Sequence, residues 1–286
     1  MRFVVVSLFV CLVLAGCVVS EEASFSVVTC PNCSAAYSGF STCAFFNAAN
    51  ASAQTLIDAD NYVGEGVPIY MRGYMHHKFC FNETHVAFGS ANPTVTGLTK
   101  NNNLVVRARS EVLASNFASE YAYLLGRGGG SYTQEWVVNG REAAQLFCPR
   151  SSCEEYLLEV LLEAEDSVLF LAFSFTSQPV AQALVELQEA GVCVAGVIES
   201  CGARSRWGRF EQLEAAGVSV VLADTPGLMH HKAFLVDGEL AVVGSYNPSA
   251  SANERNAETL VFLREPVVVQ AVLEEFLRVG GVAGCR

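Results

Sequence analysis

Two stretches of the chain carry the same reactive residues in the same order. Met75-His76-His77-Lys78-Phe79 recurs as Met229-His230-His231-Lys232-Ala233, and Gly89-Ser90-Ala91-Asn92-Pro93 is answered by Gly244-Ser245-Tyr246-Asn247-Pro248. Leu104-Val105-Val106 then matches Leu260-Val261-Phe262, and Gly66-Val67-Pro68-Ile69 upstream matches Gly217-Val218-Ser219-Val220. Ordered matches of this kind mark an internal duplication. Histidine and lysine two residues apart on a strand point to one face, so an imidazole that can attack or carry a proton stands beside a cation. The pair can meet one substrate. Lys78, Lys100 and Lys232 are the only lysines, and two of them stand in this motif, as do four of the five histidines.

The second copy shows the elements that must position these groups. Helical spacing runs over Cys153 to Glu165, an apolar strand over Val168 to Phe175, and a helix over Pro179 to Ala190. A strand over Val192 to Ile198, a short helix over Phe210 to Ala216 and a strand over Val218 to Leu222 follow. His230 to Val236 and Leu240 to Gly244 read as a hairpin turning at Asp237-Gly238. Alternating helices and buried strands predict an α/β domain with a mixed sheet. The first copy is abbreviated, with strands at Thr42 to Asn47 and Thr55 to Asp60 and little helix between them. The glycine-rich run Gly126 to Ser131 divides the chain, giving a first lobe over 21–127 and a second over 128–286.

These residues make the chain resemble the phospholipase D superfamily, whose signature is histidine, any residue, lysine, four residues, aspartate, then a glycine-serine turn with an asparagine. His230, Lys232, Asp237, Gly244, Ser245 and Asn247 match at every position and spacing. The first copy, His76, Lys78, Gly89, Ser90 and Asn92, departs twice: Glu83 stands where aspartate is expected, and its hairpin is one residue shorter. The resemblance implies two pseudo-symmetric α-β-α lobes with mixed β-sheets and one active site at their interface. Each lobe would give one histidine, one lysine and one asparagine, with Ser90 and Ser245 as substrate contacts. The implied activity is that of a phosphodiesterase working through a phosphohistidine, with neither metal nor cofactor.

The chemistry suits the residues, because Lys78, Lys232, Asn92 and Asn247 could neutralise the charge that grows on phosphorus oxygens in the transition state. Family members also carry an acidic residue that orients the histidine of the same lobe. Glu258 takes that place in the second copy and Asn102 or Asn103 in the first, which makes His230 the expected acid and His76 the expected nucleophile. Asp237 and Glu83 are expected in hairpin or lobe packing. The substrate expected is a phospholipid; the alternatives are an exported nuclease acting on nucleic acid and a catalytically idle binding protein.

Seventeen Lys and Arg against 29 Asp and Glu give a net charge of -12, which opposes sequence-independent binding of nucleic acid. Residues 3 to 19 are apolar after Arg2 and read as an export signal, within a segment of residues 1–20. Leu14-Ala15-Gly16-Cys17 looks like a lipobox, which would make Cys17 a lipid anchor; plain secretion and an uncleaved anchor are the alternatives. All three place the folded part outside the cytosol. Nine of the eleven cysteines lie beyond Cys17, which predicts disulfides, with a zinc knuckle at Cys30, Cys33 and Cys43 as the lesser reading. Because nine is odd, at least one thiol must stay free or pair between chains. Arg204, Arg206 and Trp207 follow the strand ending near Glu199 and are expected at the ligand crevice, as phosphate or headgroup contacts with Trp207 at a membrane interface.

Overall fold

The computed structural model describes residues 18–48, 52–62 and 66–282, so the apolar leader and Cys17 lie outside the described residues. In the first half the elements are β1 (Ser20–Glu21), β2 (Ser24–Cys30), β3 (Thr42–Phe45), β4 (Thr55–Asp58), β5 (Val67–Ile69), β6 (Lys78–Phe81), β7 (His85–Gly89), α1 (Val95–Thr99), β8 (Asn103–Arg109) and α2 (Glu111–Leu124). The second half holds β9 (Glu135–Val138), β10 (Arg141–Cys148), α3 (Cys153–Leu162), β11 (Ser167–Ala172), α4 (Gln178–Glu189), β12 (Cys193–Ile198), α5 (Ser200–Ala203), α6 (Phe210–Ala215) and β13 (Ser219–Leu222). It ends with β14 (Lys232–Val236), β15 (Leu240–Gly244), α7 (Ala250–Glu254), β16 (Glu258–Leu263) and α8 (Pro266–Arg278).

The duplication is structural. The first sheet runs β2-β8-β7-β6-β3-β4-β5, and the second runs β1-β9-β10-β16-β15-β14-β11-β12-β13. Matched from the parallel edge inward, β3-β4-β5 corresponds to β11-β12-β13, the hairpin β6-β7 to β14-β15, and β8 to β16. The Asp237-Gly238 turn has positive φ at both residues, 50° and 66°, which twists the hairpin with its strands. The Asp237 carboxylate also accepts from the backbone N–H of Glu165, Asp166 and Ser167, tying the hairpin to the start of β11. Glu83 is an exposed turn residue in the first copy, where Asn82 accepts the Thr84 and His85 N–H groups instead.

Alternation along the strands sorts the core into layers. Phe79, Phe88, Ala233, Leu235, Val261 and Leu263 belong to a single core shared by both lobes, with Phe117 of α2 and Val272 and Phe276 of α8. Their neighbours Phe234, Val236 and Phe262 face the other way, under α3, α4 and α6. The outer face of the first sheet has instead an irregular segment carrying Tyr37 and Phe40, as its abbreviated sequence implies. Disulfides Cys30–Cys33 and Cys43–Cys80 hold that segment and its strands, so the three clustered cysteines form no zinc knuckle. A third disulfide joins Cys148 and Cys153, and the exposed Cys201 is a free thiol.

The expected lobe boundary needs one correction, because β1 pairs with β9 and so belongs to the second sheet although it opens the first half. The Glu21 carboxylate accepts from Ser110 Oγ and Val112 N at the start of α2, which holds this crossing segment in place. Among the described residues no helix is long and apolar enough to cross a membrane.

Candidate active site

Lys78 and Lys232 are the first residues of β6 and β14. The histidines two residues earlier were expected on the same strands, but the chain there leaves its own sheet and pairs across the lobe interface. Met75 bridges Ala257, with His76 N donating to Ala257 O at 2.9 Å and Ala257 N to Tyr74 O at 2.8 Å. The mirror arrangement joins Asn102 to Met229, where His230 N donates to Asn102 O and Asn102 N to Leu228 O, both at 2.8 Å. Each histidine is thereby inserted beside the other lobe's last strand.

Two buried carboxylates hold these crossings from behind. Asp58, at the end of β4, accepts Met75 N at 2.7 Å, and Glu199, just after β12, accepts Met229 N at 2.6 Å. Both also cap the turn that follows, accepting Asp60 N and Cys201 N. Neither was singled out in the sequence, although each ends a parallel strand of its copy and could have been found by extending the repeat upstream.

The glycine-serine turns close on the final strand of each lobe. A Cβ at Gly89 would stand 2.1 Å from Leu104 O, and one at Gly244 would stand 2.0 Å from Thr259 O, so neither site tolerates a side chain. The serines were expected at the substrate, but their hydroxyls are engaged inside the protein. Ser90 Oγ donates to Asn103 Oδ1 at 2.8 Å and accepts Leu104 N, while Ser245 Oγ donates to Glu258 at 2.6 Å and accepts Thr259 N. They orient the groups that orient the histidines.

Those orienting groups act across the interface rather than within a lobe. His76 Nδ1 lies 2.8 Å from the Glu258 carboxylate, and His230 Nδ1 lies 2.9 Å from Asn103 Oδ1 and 3.1 Å from Ser90 O. The expectation that Glu258 serves His230 is thus overturned, and Asn103, not Asn102, is its counterpart. Asn102 instead bonds Thr225 and Arg278 beneath the crossing. The cause is the crossing itself, which moves each histidine off its own sheet and onto the other lobe's Glu258 or Asn103. Every partner on these Nδ1 atoms is an acceptor, so in the neutral rings Nδ1 carries the proton and Nε2 is left free to react.

The electrostatics follow from burial. Glu258 is fully buried, which pushes its pKa up to about 7 against the pull of Lys78, Ser245 and Asn256. Burial brings Lys78 down to about 7, and burial together with Lys78 holds Lys232 well below its usual value. Both reactive histidines are also depressed, first by burial and then by the two lysines. The site therefore resists further positive charge, and an anion would relieve it. Lys78 Nζ and Lys232 Nζ donate to the carbonyls of His76 and His230 at 2.6 and 2.8 Å. The buried amide oxygens of Asn92 and Asn247 have no protein partner.

Two aromatic rings missed in the sequence flank this cluster. Phe46 lies 4.9 Å from the His76 ring with Lys78 5.4 Å above it, and Phe173 lies 4.5 Å from the His230 ring with Lys232 at 4.7 Å. They occupy equivalent positions, one residue past β3 and β11. The second histidine of each motif is structural: His77 bonds Thr259 and Glu120, and His231 lies 3.0 Å from Glu275. Arg204, Arg206 and Trp207 sit on the loop after β12, exposed, with Arg204 stacked on Phe210 and Arg206 on Trp207. Trp207 and Phe173 line one cavity of about 180 Å³, so the loop adjoins the reactive cluster without entering it. Among the described residues no group of three or more His, Cys, Asp or Glu is placed to hold a metal ion.

Comparison with known proteins follows the fold and the second copy of the motif. Residues 157–279 match the family described as cardiolipin synthase, PLD-like domain. The phospholipase D of Rickettsia typhi is 24% identical over 139 residues, covering 49% of this chain and 68% of that protein. The mitochondrial cardiolipin hydrolase of Xenopus tropicalis is 31% identical over 137 residues, covering 47% of this chain and 65% of that one. In fold, the phosphatidylserine synthase of Haemophilus influenzae superposes with a TM-score of 0.66 over 90% of this chain and 87% of its own, at 13% identity. Duplicated motif, paired lobes and relatives converge, and together they support membership of the phospholipase D superfamily.

Proposed function

We propose that the protein hydrolyses phospholipid phosphodiesters in two steps through a phosphohistidine, outside the cytosol and at a membrane surface. The observation that carries this reading is the pair of imidazoles, each held through Nδ1 by the opposite lobe, beside two buried lysines. In the first step the lone pair on His76 Nε2 attacks phosphorus, the bond to the leaving oxygen breaks, and protonated His230 gives that oxygen its Nε2 proton. In the second, His230 takes a proton from water, the water oxygen bonds to phosphorus, and the P–N bond breaks to restore His76. The products are a phosphomonoester and an alcohol.

Glu258 now supports His76 as the nucleophile, because its carboxylate offsets the positive charge the ring acquires when Nε2 bonds to phosphorus. Asn103 offers His230 an acceptor without charge, which lets that ring hand its proton over. The bound diester supplies the negative charge that restores protonation of His230 and the lysines. Relatives named phospholipase D and mitochondrial cardiolipin hydrolase favour a lipid substrate. The apolar leader and the disulfides favour export. The decisive assay incubates the protein with labelled phospholipid vesicles and with single-stranded DNA. Release of phosphatidic acid is expected; cleavage of DNA alone would replace the lipid reading by the nuclease one.

A further inference from the structure

Five large apolar or aromatic side chains remain exposed on the segments that follow the parallel strands of the two lobes. In the first lobe Tyr62 follows the turn capped by Asp58, Tyr70 follows β5, and Tyr74 directly precedes Met75. In the second, Trp207 lies on the loop after β12 and Leu228 directly precedes Met229. Tyr70 is 81% exposed and Trp207 59%. Tyr70, Tyr74 and Leu228 lie on the segments that run from β5 and β13 to the histidine crossings, and Tyr62 and Trp207 follow the neighbouring parallel strands β4 and β12. Phe46 and Phe173, which flank the two histidines, also follow the C-terminal ends of parallel strands, so both sets stand at the ends of the sheets that hold the reactive cluster. The rim is closed by tight contacts between lobes: a Cβ at Gly73 would stand 2.5 Å from Arg255 O, and one at Gly227 would stand 1.9 Å from Lys100 O.

Among the described residues the same segments expose Arg72, Arg204 and Arg206, with Lys100 beside Gly227, against Asp60, Asp224 and the Glu211 that pairs with Arg204. The rim is therefore close to charge balance in a chain of net charge -12. Tyrosine and tryptophan favour the headgroup level of a bilayer, where the ring is apolar and the polar tip stays wet, and arginine complements lipid phosphate. We propose that this rim is a membrane-docking surface, with Tyr62, Tyr70, Trp207 and Leu228 seated among the headgroups of a phospholipid bilayer so that the reactive cluster faces lipid phosphates. The proposal rests on the lipid-hydrolase reading above. Single-stranded nucleic acid also stacks on exposed rings, but it needs a basic track along its backbone, and here the acidic chain as a whole repels it.

Trp207 is a built-in reporter, since the only other tryptophan, Trp136, is 2% exposed. The full chain is mixed with phosphatidylcholine vesicles containing brominated acyl chains, at low and at raised salt. Quenching of Trp207 at both is expected, because seating of aromatic rings is not screened as charge pairing is. Quenching reads the rim alone, so attachment through the leader does not imitate it. The variant Y62S/Y70S should lose about tenfold or more in quenching affinity and in vesicle hydrolysis, and keep hydrolysis of bis(p-nitrophenyl) phosphate. Vesicles that pellet the protein without quenching, or a variant that partitions like the parent, would overturn the proposal. So would a salt-sensitive response to single-stranded DNA in place of vesicles. If the soluble diester is cleaved while Trp207 stays silent, docking falls and the catalytic reading stands; if Trp207 is quenched and no diester is cleaved, the reverse holds.

Discussion

His76 in the first lobe and Glu258 in the second meet at 2.8 Å, so the reactive ring of one lobe is oriented by the carboxylate of the other. Neither half could assemble this pair alone. The Glu258 carboxylate is fully buried and receives Ser245 Oγ and Asn256 Nδ2 as well, which fixes its position before any substrate arrives.

The pairing separates the roles of the two histidines. In His230→Ala, a p-nitrophenyl phosphodiester, whose leaving group needs no proton, should still phosphorylate the enzyme, and the adduct should persist for lack of a base to activate water. Acid-quenched mass spectrometry should find it on the peptide containing His76. His76→Ala should form none; an adduct on the His230 peptide of that variant would reverse the assignment.

Glu258 and Asn103 should not weigh equally. Glu258→Gln keeps a hydrogen-bonding group but removes the charge, and should slow phosphoryl-enzyme formation by about 10²- to 10⁴-fold. Asn103→Ala leaves Ser90 O still accepting from His230 Nδ1 at 3.1 Å, so its loss should be smaller. Rapid-quench measurement of the first step checks both, and equal losses would argue against a special role for the carboxylate.

Anion binding should depend on pH through Lys78. Burial lowers its pKa to about 7, so above that pH the empty protein holds it neutral, and a bound anion must bring a proton with it. The affinity for dimethyl phosphate should therefore fall as pH rises above about 7, by up to about tenfold per pH unit for each proton taken up. Calorimetry in buffers of different ionisation enthalpy should register that uptake; an affinity flat across this range would mean Lys78 stays charged in the empty site.

Both lysines serve one centre, so Lys78→Ala and Lys232→Ala should each reduce turnover by several orders of magnitude, and the double variant should be far from additive. Near-normal turnover in either would dissolve the shared site. Because these ammonium groups and two asparagines are the donors in the proposed mechanism, activity should also survive EDTA. Loss on chelation, restored by one divalent ion, would require another route.

The Cys43–Cys80 disulfide joins directly opposed residues of β3 and β6, two positions beyond Lys78. It closes a separation of 37 residues. Replacing both cysteines by alanine should lower stability by about 2–4 kcal/mol, visible as a lower Tm in thermal unfolding. An unchanged Tm would mean that sheet pairing alone holds the abbreviated lobe.

By itself the sequence determined the repeated motif, the two hairpins and which histidines and lysines stand at the crossings, because these depend on residue type, spacing and local turn chemistry. The Asp237-Gly238 turn and the apolar runs of β11 and β12 are legible for the same reason: each is decided within a few residues. What only the tertiary structure decided is which group faces which. A motif repeated in both halves invites pairing within each half, yet Met75 and Met229 leave their own sheets and bond across the interface, carrying His76 to Glu258 and His230 to Asn103. The crossing is set by backbone hydrogen bonds between segments more than a hundred residues apart, which have no local signature, and by Asp58 and Glu199 behind them, which show only when the repeat is extended upstream. The same holds for Ser90 and Ser245, whose place in the motif does not reveal that their hydroxyls are spent inside the fold. Spacing along a chain names the reactive groups; the packing of one lobe on the other assigns their partners.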